Sequence, residues 1–365
     1  MENLFEQRES RTVTGRRDFL KTLGFGAAGT AAIANGLFGG TANAQTRDKS
    51  AQTANLITKK IPRTGEVVPA IGLGSFLTFD VLPGQPREFV REVIKRFYDG
   101  GGRVLDTSPL YGTGEISVGD SANALGIAND LFITNKIWST GEFLADDSFA
   151  LKSLEQSQGR LWREKFDLMQ VHSLVNVDVV VPIIKSWKRQ NLVRYVGVTH
   201  HDLPYFTALA NWVEKGEIDF VQVHYSIHTR AAEDRILPAA IDKGVAVLVN
   251  MPLEKARLHK IVENRPLPDF AKEFGANNWA QFFLKWVISH PAVTCAIPAT
   301  TNPTHQSENI DALKGELPDR EMRARMVRHM ETIPGFSKLA EMPWYPDKHF
   351  NGIINRARKK RQSAP

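Results

Sequence analysis

Four residues able to move or steer a proton stand at or just after the ends of short apolar runs. RVLDTSPLYGT carries Asp106 at the end of such a run and Tyr111 five residues later, LFITNK ends in Lys136, and DLMQVH ends in His172. If these runs are parallel strands, their carboxyl ends lie on one side of a sheet, where α/β folds place their chemistry. Side chains alternate along a strand, so Val104 and Asp106 share a face, as do Thr134 and Lys136, and Gln170 and His172. With the earlier member of each pair inside a barrel, the later one reaches its mouth. A phenol is a weak acid, with an ordinary pKa of about 10. A nearby lysine ammonium is expected to lower it, Asp106 to balance that ammonium, and a neutral imidazole to donate a hydrogen bond to a substrate oxygen. Such a site hands a proton to an oxygen gaining negative charge, a task worth roughly 10²–10⁴ in rate. Taken singly, the four residues would serve as a strand-end cap, a packing ring, a rim charge and a buried histidine. It is their joint placement after successive strands that points to one site.

The rest of the chain must hold those strand ends together. KKIPRTGEVVPAIGLGSF reads as a hairpin turning near Thr64-Gly65, leading into a first strand at Ala70–Leu73. Apolar runs then recur at Arg103–Asp106, Leu131–Lys136, Leu168–His172, Tyr195–Thr199, Phe220–His224, Ala246–Asn250 and Cys295–Pro298. Between them the period turns helical, over Pro86–Asp99, Phe149–Trp162, Val179–Arg189, Pro204–Lys215, Ala231–Lys243 and Asn277–Ser289. Near-continuous apolar strands imply burial on both faces, hence a parallel sheet with helices outside. Eight such units favour an α/β architecture closed as a (β/α)8 TIM barrel over 58–315, preceded by an N-terminal β-hairpin, rather than an open doubly wound sheet. Beyond it, 316–365 is expected to form a C-terminal helix and tail. Its Trp344, Tyr345 and Phe350 would fold back over the mouth as a lid, and the charge run from Arg356 to Arg361 would end in solvent.

The composition, with 42% hydrophobic and 24% charged residues, supports a sizeable core. The net charge of +6 forms no basic stripe interleaved with aromatics, which argues against nucleic acid as a partner. A single cysteine, Cys295, excludes an internal disulfide and a zinc–cysteine cluster. At the N-terminus, GRRDFLK places Arg16 and Arg17 before Phe19, Leu20 and Lys21, the twin-arginine type of export signal. An Ala- and Gly-rich stretch follows, and Ala42-Asn43-Ala44 offers a cleavage site. Residues 1–44 are therefore read as a signal peptide and 45–57 as a linker. This implies the twin-arginine translocation machinery as a partner, a periplasmic location and no stable membrane insertion. Within this segment Gly24-Phe25-Gly26-Ala27-Ala28-Gly29 matches a dinucleotide fingerprint, but that pattern has meaning only between a strand and a helix.

Taken together, GLGSF, LDTSPLYGTGE, TNK, LMQVH, VRYVGVT, FVQVHYS, GVAVLVNMPL and IPATTNPTHQSEN resemble, in order, the aldo-keto reductase family over about residues 60–315. The resemblance implies a (β/α)8 barrel that binds a nicotinamide cofactor in an extended pose, without a Rossmann fold, and reduces a small aldehyde or ketone. It implies Tyr111 as proton donor, Lys136 and Asp106 as the pair lowering its pKa, and His172 as the group orienting the carbonyl. Gly74 and Ser75 join the implied cofactor contacts. Where the family often has Ser-Asn to hold the carboxamide, this chain has Thr199-His200, while Gln222 matches a third contact. Asn250 and Met251, followed by Pro252 and Leu253, replace a tyrosine that commonly stacks on the nicotinamide. Ala299 and His305 stand where NADPH-selective members often carry Lys and Arg, leaving Thr300, Thr301, Asn302, His305, Glu308 and Asn309 for the adenosine end. Family habit favours NADPH slightly over NADH. Phe76 and Trp138 are the expected substrate walls.

Two other functions fit parts of the pattern. His172, His200, His201, His224 and His228 suggest a metal-dependent hydrolase on the same barrel, but no H-x-H follows the first strand and no metal is expected. A nucleotide-binding module with a sensing or structural role is the other, because free NADPH is not expected outside the cytoplasm.

Overall fold

Alternation along each strand sorts the apolar residues into two sets, and the computed structural model, which describes residues 55–141 and 147–362, shows where each set goes. The strands are β1 (Thr58–Lys60), β2 (Val67–Pro69), β3 (Leu73–Gly74), β4 (Val104–Asp106), β5 (Phe132–Ile137), β6 (Phe166–Val171), β7 (Val193–His200), β8 (Phe220–His224), β9 (Ala246–Asn250) and β10 (Val293–Ala296). β3 to β10 pair in parallel with their sequence neighbours. The ring closes where Ile71 bridges Ala296 and the Gly74 amide donates to the Pro298 carbonyl at 2.9 Å. The expected closed barrel is therefore present. Its eighth strand starts two residues before the expected Cys295, with a register shift between Val293 and Cys295.

One face of each strand points inward. Val104, Phe132, Leu168, Tyr195, Phe220, Ala246 and Cys295 pack inside the ring with Ile61 and Val68. Those last two come from the hairpin β1–β2, which turns at Gly65 and closes the bottom of the barrel. There Phe132, Tyr195 and Phe220 stack within 5.3–6.1 Å of one another, each pair worth about 0.5–1.5 kcal/mol beyond area burial. The opposite face, with Leu105, Ile133, Met169, Val196, Val221 and Val247, forms the larger core beneath the helices.

The helices are α1 (Glu88–Asp99), α2 (Gly114–Ala124), α3 (Ser148–Leu161), α4 (Val177–Arg189), α5 (Phe206–Lys215), α6 (Ile236–Lys243), α7 (Arg257–Ile261), α8 (Trp279–Ile288), α9 (Pro303–Ile310), α10 (Arg320–Glu331) and α11 (Ile353–Gln362). In α1, Val90, Val93, Ile94 and Phe97 repeat at helical period and are all buried. The helix expected over Ala231–Lys243 is split, because Pro238 lacks the N–H that a continuous ladder would require, and only Ile236–Lys243 is α-helical. Asn278 caps α8, accepting the Gln281 amide, while the Gln281 side chain accepts the Asn277 amide. α2 carries no apolar stripe. Its Gly119 lies against α3, and a Cβ there would sit 2.2 Å from the Arg160 carbonyl oxygen.

The tail beyond α10 returns to the mouth, and the Ile354 amide donates to Asp80 Oδ2 at 2.9 Å. The run expected to end in solvent is helical in α11 up to Gln362 and mostly exposed, but Arg358 faces the cavity at the barrel mouth. The signal peptide expected over 1–44, and all but the last three residues of the linker, lie outside the described residues. No helix among the described residues is long and apolar enough to cross a membrane.

Candidate active site

The inward residues in the upper part of β4 to β8 are mostly polar rather than apolar, and they meet at the carboxyl ends. Asp106 ends β4, Lys136 sits one residue before the end of β5, and both are buried. Lys136 Nζ donates to both oxygens of Asp106 at 2.7 Å and to the Thr107 carbonyl at 2.8 Å. Asp106 Oδ1 also accepts Thr134 Oγ1 at 2.5 Å and Gln222 Nε2 at 3.0 Å. Gln222 in turn accepts the Thr199 hydroxyl at 3.0 Å. Oδ1 thus accepts three donors and Oδ2 one, the kind of pairing a buried charge requires.

Above this pair the turn after β4 brings Tyr111 over the lysine, with Nζ 5.0 Å from the ring centroid. Tyr111 packs edge-on against Phe76 at 5.0 Å and His172 at 5.7 Å. His172 follows the end of β6, and its Nδ1 lies 3.1 Å from Ser108 Oγ. The Leu110 amide already donates to that oxygen at 3.2 Å. With the Leu110 amide as donor to Oγ, a Ser108 proton given to Nδ1 sets the imidazole N–H on Nε2. Burial, with Lys136 and then His201 and His200 adding to it, holds His172 well below its ordinary range, so the ring is neutral at pH 7.

The expected lowering of the phenol does not occur. Burial, then the negative charge of Asp106, then Tyr345 push Tyr111 well above its ordinary value. The physical reason is the ion pair itself: Asp106 neutralises the ammonium it holds, so the phenol feels the loss of water more than it feels the lysine. Burial also lowers Lys136, against the pull of Asp106.

A cavity of about 600 Å³ opens at this mouth. All the expected site residues line it except three: Lys136, which lies behind Asp106, Trp138 and Asn302. Trp138, the other expected substrate wall, does not line this cavity. It stands just past the end of β5 with 46% of its surface exposed. The Asn302 side chain accepts the Thr304 and His305 amides through Oδ1 as the cap of α9. Phe76 is in the wall, as are Trp344, Tyr345 and Phe350 from the tail.

The interior suits a polar ligand with amide and hydroxyl groups. Asn250 Oδ1 and Thr78 Oγ1, both from cavity-lining residues, are buried with no hydrogen-bond partner. Gln222 keeps one N–H and one lone pair beyond its bonds to Asp106 and Thr199. At Gly74 a Cβ would stand 3.0 Å from the Ile297 carbonyl oxygen, so a side chain would crowd this rim. His200, His201 and Asp202 bring ligand-type atoms within 4.8 Å of one another. Those atoms are engaged locally: the Asp202 amide donates to His200 Nδ1, and His201 Nε2 lies 3.1 Å from Asp202 Oδ1.

Sequence reasoning missed Ser108, whose contact with His172 spans 64 positions and is not encoded in any local pattern. It also missed Lys255, whose only signal was its place in a loop following a strand's carboxyl end.

Comparison with known proteins supplies the rest. The sequence model of the aldo/keto reductase family matches residues 70–326. The chain is 25% identical over 305 residues to aldo/keto reductase slr0942 of Synechocystis sp., covering 74% of this chain and 89% of that protein. Among solved structures it resembles an aldo-keto reductase from Klebsiella pneumoniae in complex with NADPH, with 23% identity, a TM-score of 0.62, and coverage of 81% and 99% of the two chains. It also resembles the thermostable aldo-keto reductase Tm1743, with 26% identity, a TM-score of 0.60, and coverage of 75% and 99%. With the family model spanning well over half its length, this chain belongs to the aldo/keto reductase family.

Proposed function

We propose that this protein reduces the carbonyl group of a small aldehyde or ketone to an alcohol with NADPH, and that Tyr111 supplies the proton. The observation carrying this reading is the buried Asp106–Lys136 ion pair beneath the Tyr111 ring, with neutral His172 beside it in one cavity. When bound, the nicotinamide supplies a hydride to the carbonyl carbon. His172 Nε2–H donates to the carbonyl oxygen and fixes its position, an interaction that strengthens as negative charge develops there. Tyr111, held protonated by burial, then gives its proton to that oxygen. An alcohol is a weaker acid than a phenol, so the transfer runs downhill. The phenolate left behind faces the Lys136 ammonium, and solvent returns the proton. Thr199, His200 and Gln222 are assigned to the carboxamide, and Asn250, standing where the family's stacking tyrosine does, to the nicotinamide ring.

The phosphorylated cofactor is supported at the opposite wall. His259 is pushed down to about 4 by burial, by Lys348 and by His305, so three basic groups crowd together there near the start of α9. Lys348 supplies an ammonium where Ala299 and His305 replace the family's usual cations, His259 and His305 offer ring nitrogens, and a phosphate monoester gives the ammonium a partner. Relatives from Klebsiella pneumoniae were solved with NADP and with NADPH.

The segment 316–365 serves as the lid, supported by the Tyr345 amide donating to the Lys255 carbonyl at 2.9 Å and by the Asp80–Ile354 contact. Residues 1–44 direct the folded protein to the periplasm through the twin-arginine machinery, a reading supported by GRRDFLK and Ala42-Asn43-Ala44.

Tyr111→Phe tests the mechanism. Carbonyl turnover should fall by at least about two orders of magnitude, with NADPH affinity by fluorescence titration nearly unchanged, and normal turnover would refute the role. For export, Arg16→Lys with Arg17→Lys should leave the protein in the cytoplasm. Undiminished periplasmic recovery contradicts it.

A further inference from the structure

Two glycines far apart in sequence make room for the same carboxylate. At Gly112, between Tyr111 and Thr113, a Cβ would overlap Asp80 Oδ1, and at Gly352 it would overlap Asp80 Oδ2 and the Asp80 carbonyl oxygen. Any other residue at either place would push Asp80 aside. Gly112 has a second reason to be glycine, its φ of 62°. Gly352 lacks that φ, so only the closeness of Asp80 excludes a side chain there.

Asp80 is buried in the loop after β3 and does not line the cavity at the mouth. Its Oδ1 accepts the Thr113 amide at 3.1 Å, and its Oδ2 accepts the Ile354 amide at 2.9 Å. The first donor belongs to the turn that carries Tyr111, in which the Tyr111 amide donates to the Ser108 carbonyl and the Gly114 amide to the Tyr111 carbonyl. The Thr113 hydroxyl strengthens this side, accepting the Val81 amide at 2.8 Å and donating to the Val81 carbonyl at 2.6 Å. Ser117, one turn into α2, donates to the Phe79 carbonyl at 2.8 Å. The second donor lies in the first turn of α11, where no carbonyl within the helix can reach an amide. A carboxylate placed there also meets the positive end of the helix dipole. Trp344, Tyr345, Phe350 and Arg358, on the tail that this contact fastens, all stand in the cavity wall.

We propose that Asp80 is a positioning residue that joins the Tyr111 turn to the C-terminal tail, so that covering of the cavity and placement of the proton donor depend on one carboxylate. This rests on the reductase reading and on the tail as its lid. With the tail docked, Ile354 fixes Oδ2 and thereby holds Oδ1 on Thr113. With the tail lifted, the carboxylate can rotate and the Thr113 amide loses its fixed acceptor. Tyr111 is then held over Lys136 and beside His172 only while the mouth is covered.

Gly352→Ala tests the joint without altering Asp80, Thr113 or Tyr111. In hydrogen–deuterium exchange of the protein without cofactor, the Ile354 amide should exchange at least about tenfold faster, as befits a lost bond to a charged acceptor. The Thr113 amide should follow by at least about threefold, the mark of coupled neighbours. The Val221 amide, in β8 and away from the joint, should keep its native rate, which separates the effect from general loss of stability. With NADPH and an aldehyde, single-turnover hydride transfer should slow at least about threefold, and NADPH release by stopped-flow fluorescence should quicken. Asp80→Asn, which keeps the shape and one acceptor, should quicken exchange at both amides. Adding Gly352→Ala to it should cost no more than about a further twofold, since the joint is already broken. Faster exchange at Ile354 with Thr113 and hydride transfer at native rates overturns the inference and leaves the reductase reading standing. Native exchange at both amides, or additive losses in the double variant, also overturn it. A native protein that transfers hydride to no aldehyde or ketone while both amides respond defeats the reductase reading and leaves the joint in place.

Discussion

Replacing Lys136 with methionine keeps the length of the side chain and removes its charge, stranding Asp106 in the barrel. The carboxylate would retain Thr134 and Gln222 as donors but lose the ammonium that contacts both its oxygens at 2.7 Å. Removing one partner of a buried pair costs about 3–5 kcal/mol. With an unfolding entropy near 2.1 cal/mol/K per residue, a barrel of about 300 residues loses roughly 5–8 °C in Tm. Lys136→Met combined with Asp106→Asn removes both charges, so its loss should fall short of the sum of the single losses by at least about 2 kcal/mol. Lys136→Met should also lose less stability at pH 5 than at pH 8, since the stranded carboxylate can take up a proton. Urea unfolding of the four proteins at both pH values measures the cycle, and carbonyl turnover should be lost in all three variants. Additive losses, or an unchanged Lys136→Met, would show that the pair does not act as a unit and would remove the electrostatic support of Tyr111.

Ser108→Ala should leave folding intact and reduce kcat/KM by roughly 2- to 12-fold, the range expected for one hydrogen bond of about 0.5–1.5 kcal/mol. Nitrogen NMR of His172 should then show both neutral tautomers instead of Nε2–H alone, and an unchanged spectrum would remove Ser108 from the site. Stability should also fall with acid. His259 has a folded value of about 4 against an ordinary 6.5 in the unfolded chain. The unfolded state therefore takes up its proton first, and the contribution is fully present above about 6.5 and lost as pH falls towards 4. At pH 5 this one residue accounts for roughly 2 kcal/mol, and His172 acts in the same direction. Denaturant midpoints that do not differ between pH 7.5 and pH 5 contradict this.

What could be read ahead of the structure divides along a physical line. Strands β4 to β9 were visible because each is buried on both faces and so carries an unbroken apolar run, and parity then assigned Asp106 and Lys136 to the mouth. α2 was invisible for the converse reason: it packs through Gly119, Ser117, Ser121 and Ala122, and small residues that allow close approach leave no apolar period. The same limit applies to the site. Residue type and position are local, so a tyrosine after one strand and a lysine on the next can be paired from spacing. Charge balance is not local. The direction of the Tyr111 shift depends on how completely Asp106 neutralises Lys136, and that in turn on Thr134 and Gln222 arriving from other strands. Asp80 shows the same thing from the other side. Nothing in FLTFDVL marks it, and it is distinctive only because Gly112 makes room for it beside Tyr111, and because a tail 274 residues later brings the Ile354 amide to it. Whether an acid on a page of sequence is a solvated loop charge or a joint between two segments is decided by which donors the distant parts of the chain bring to it.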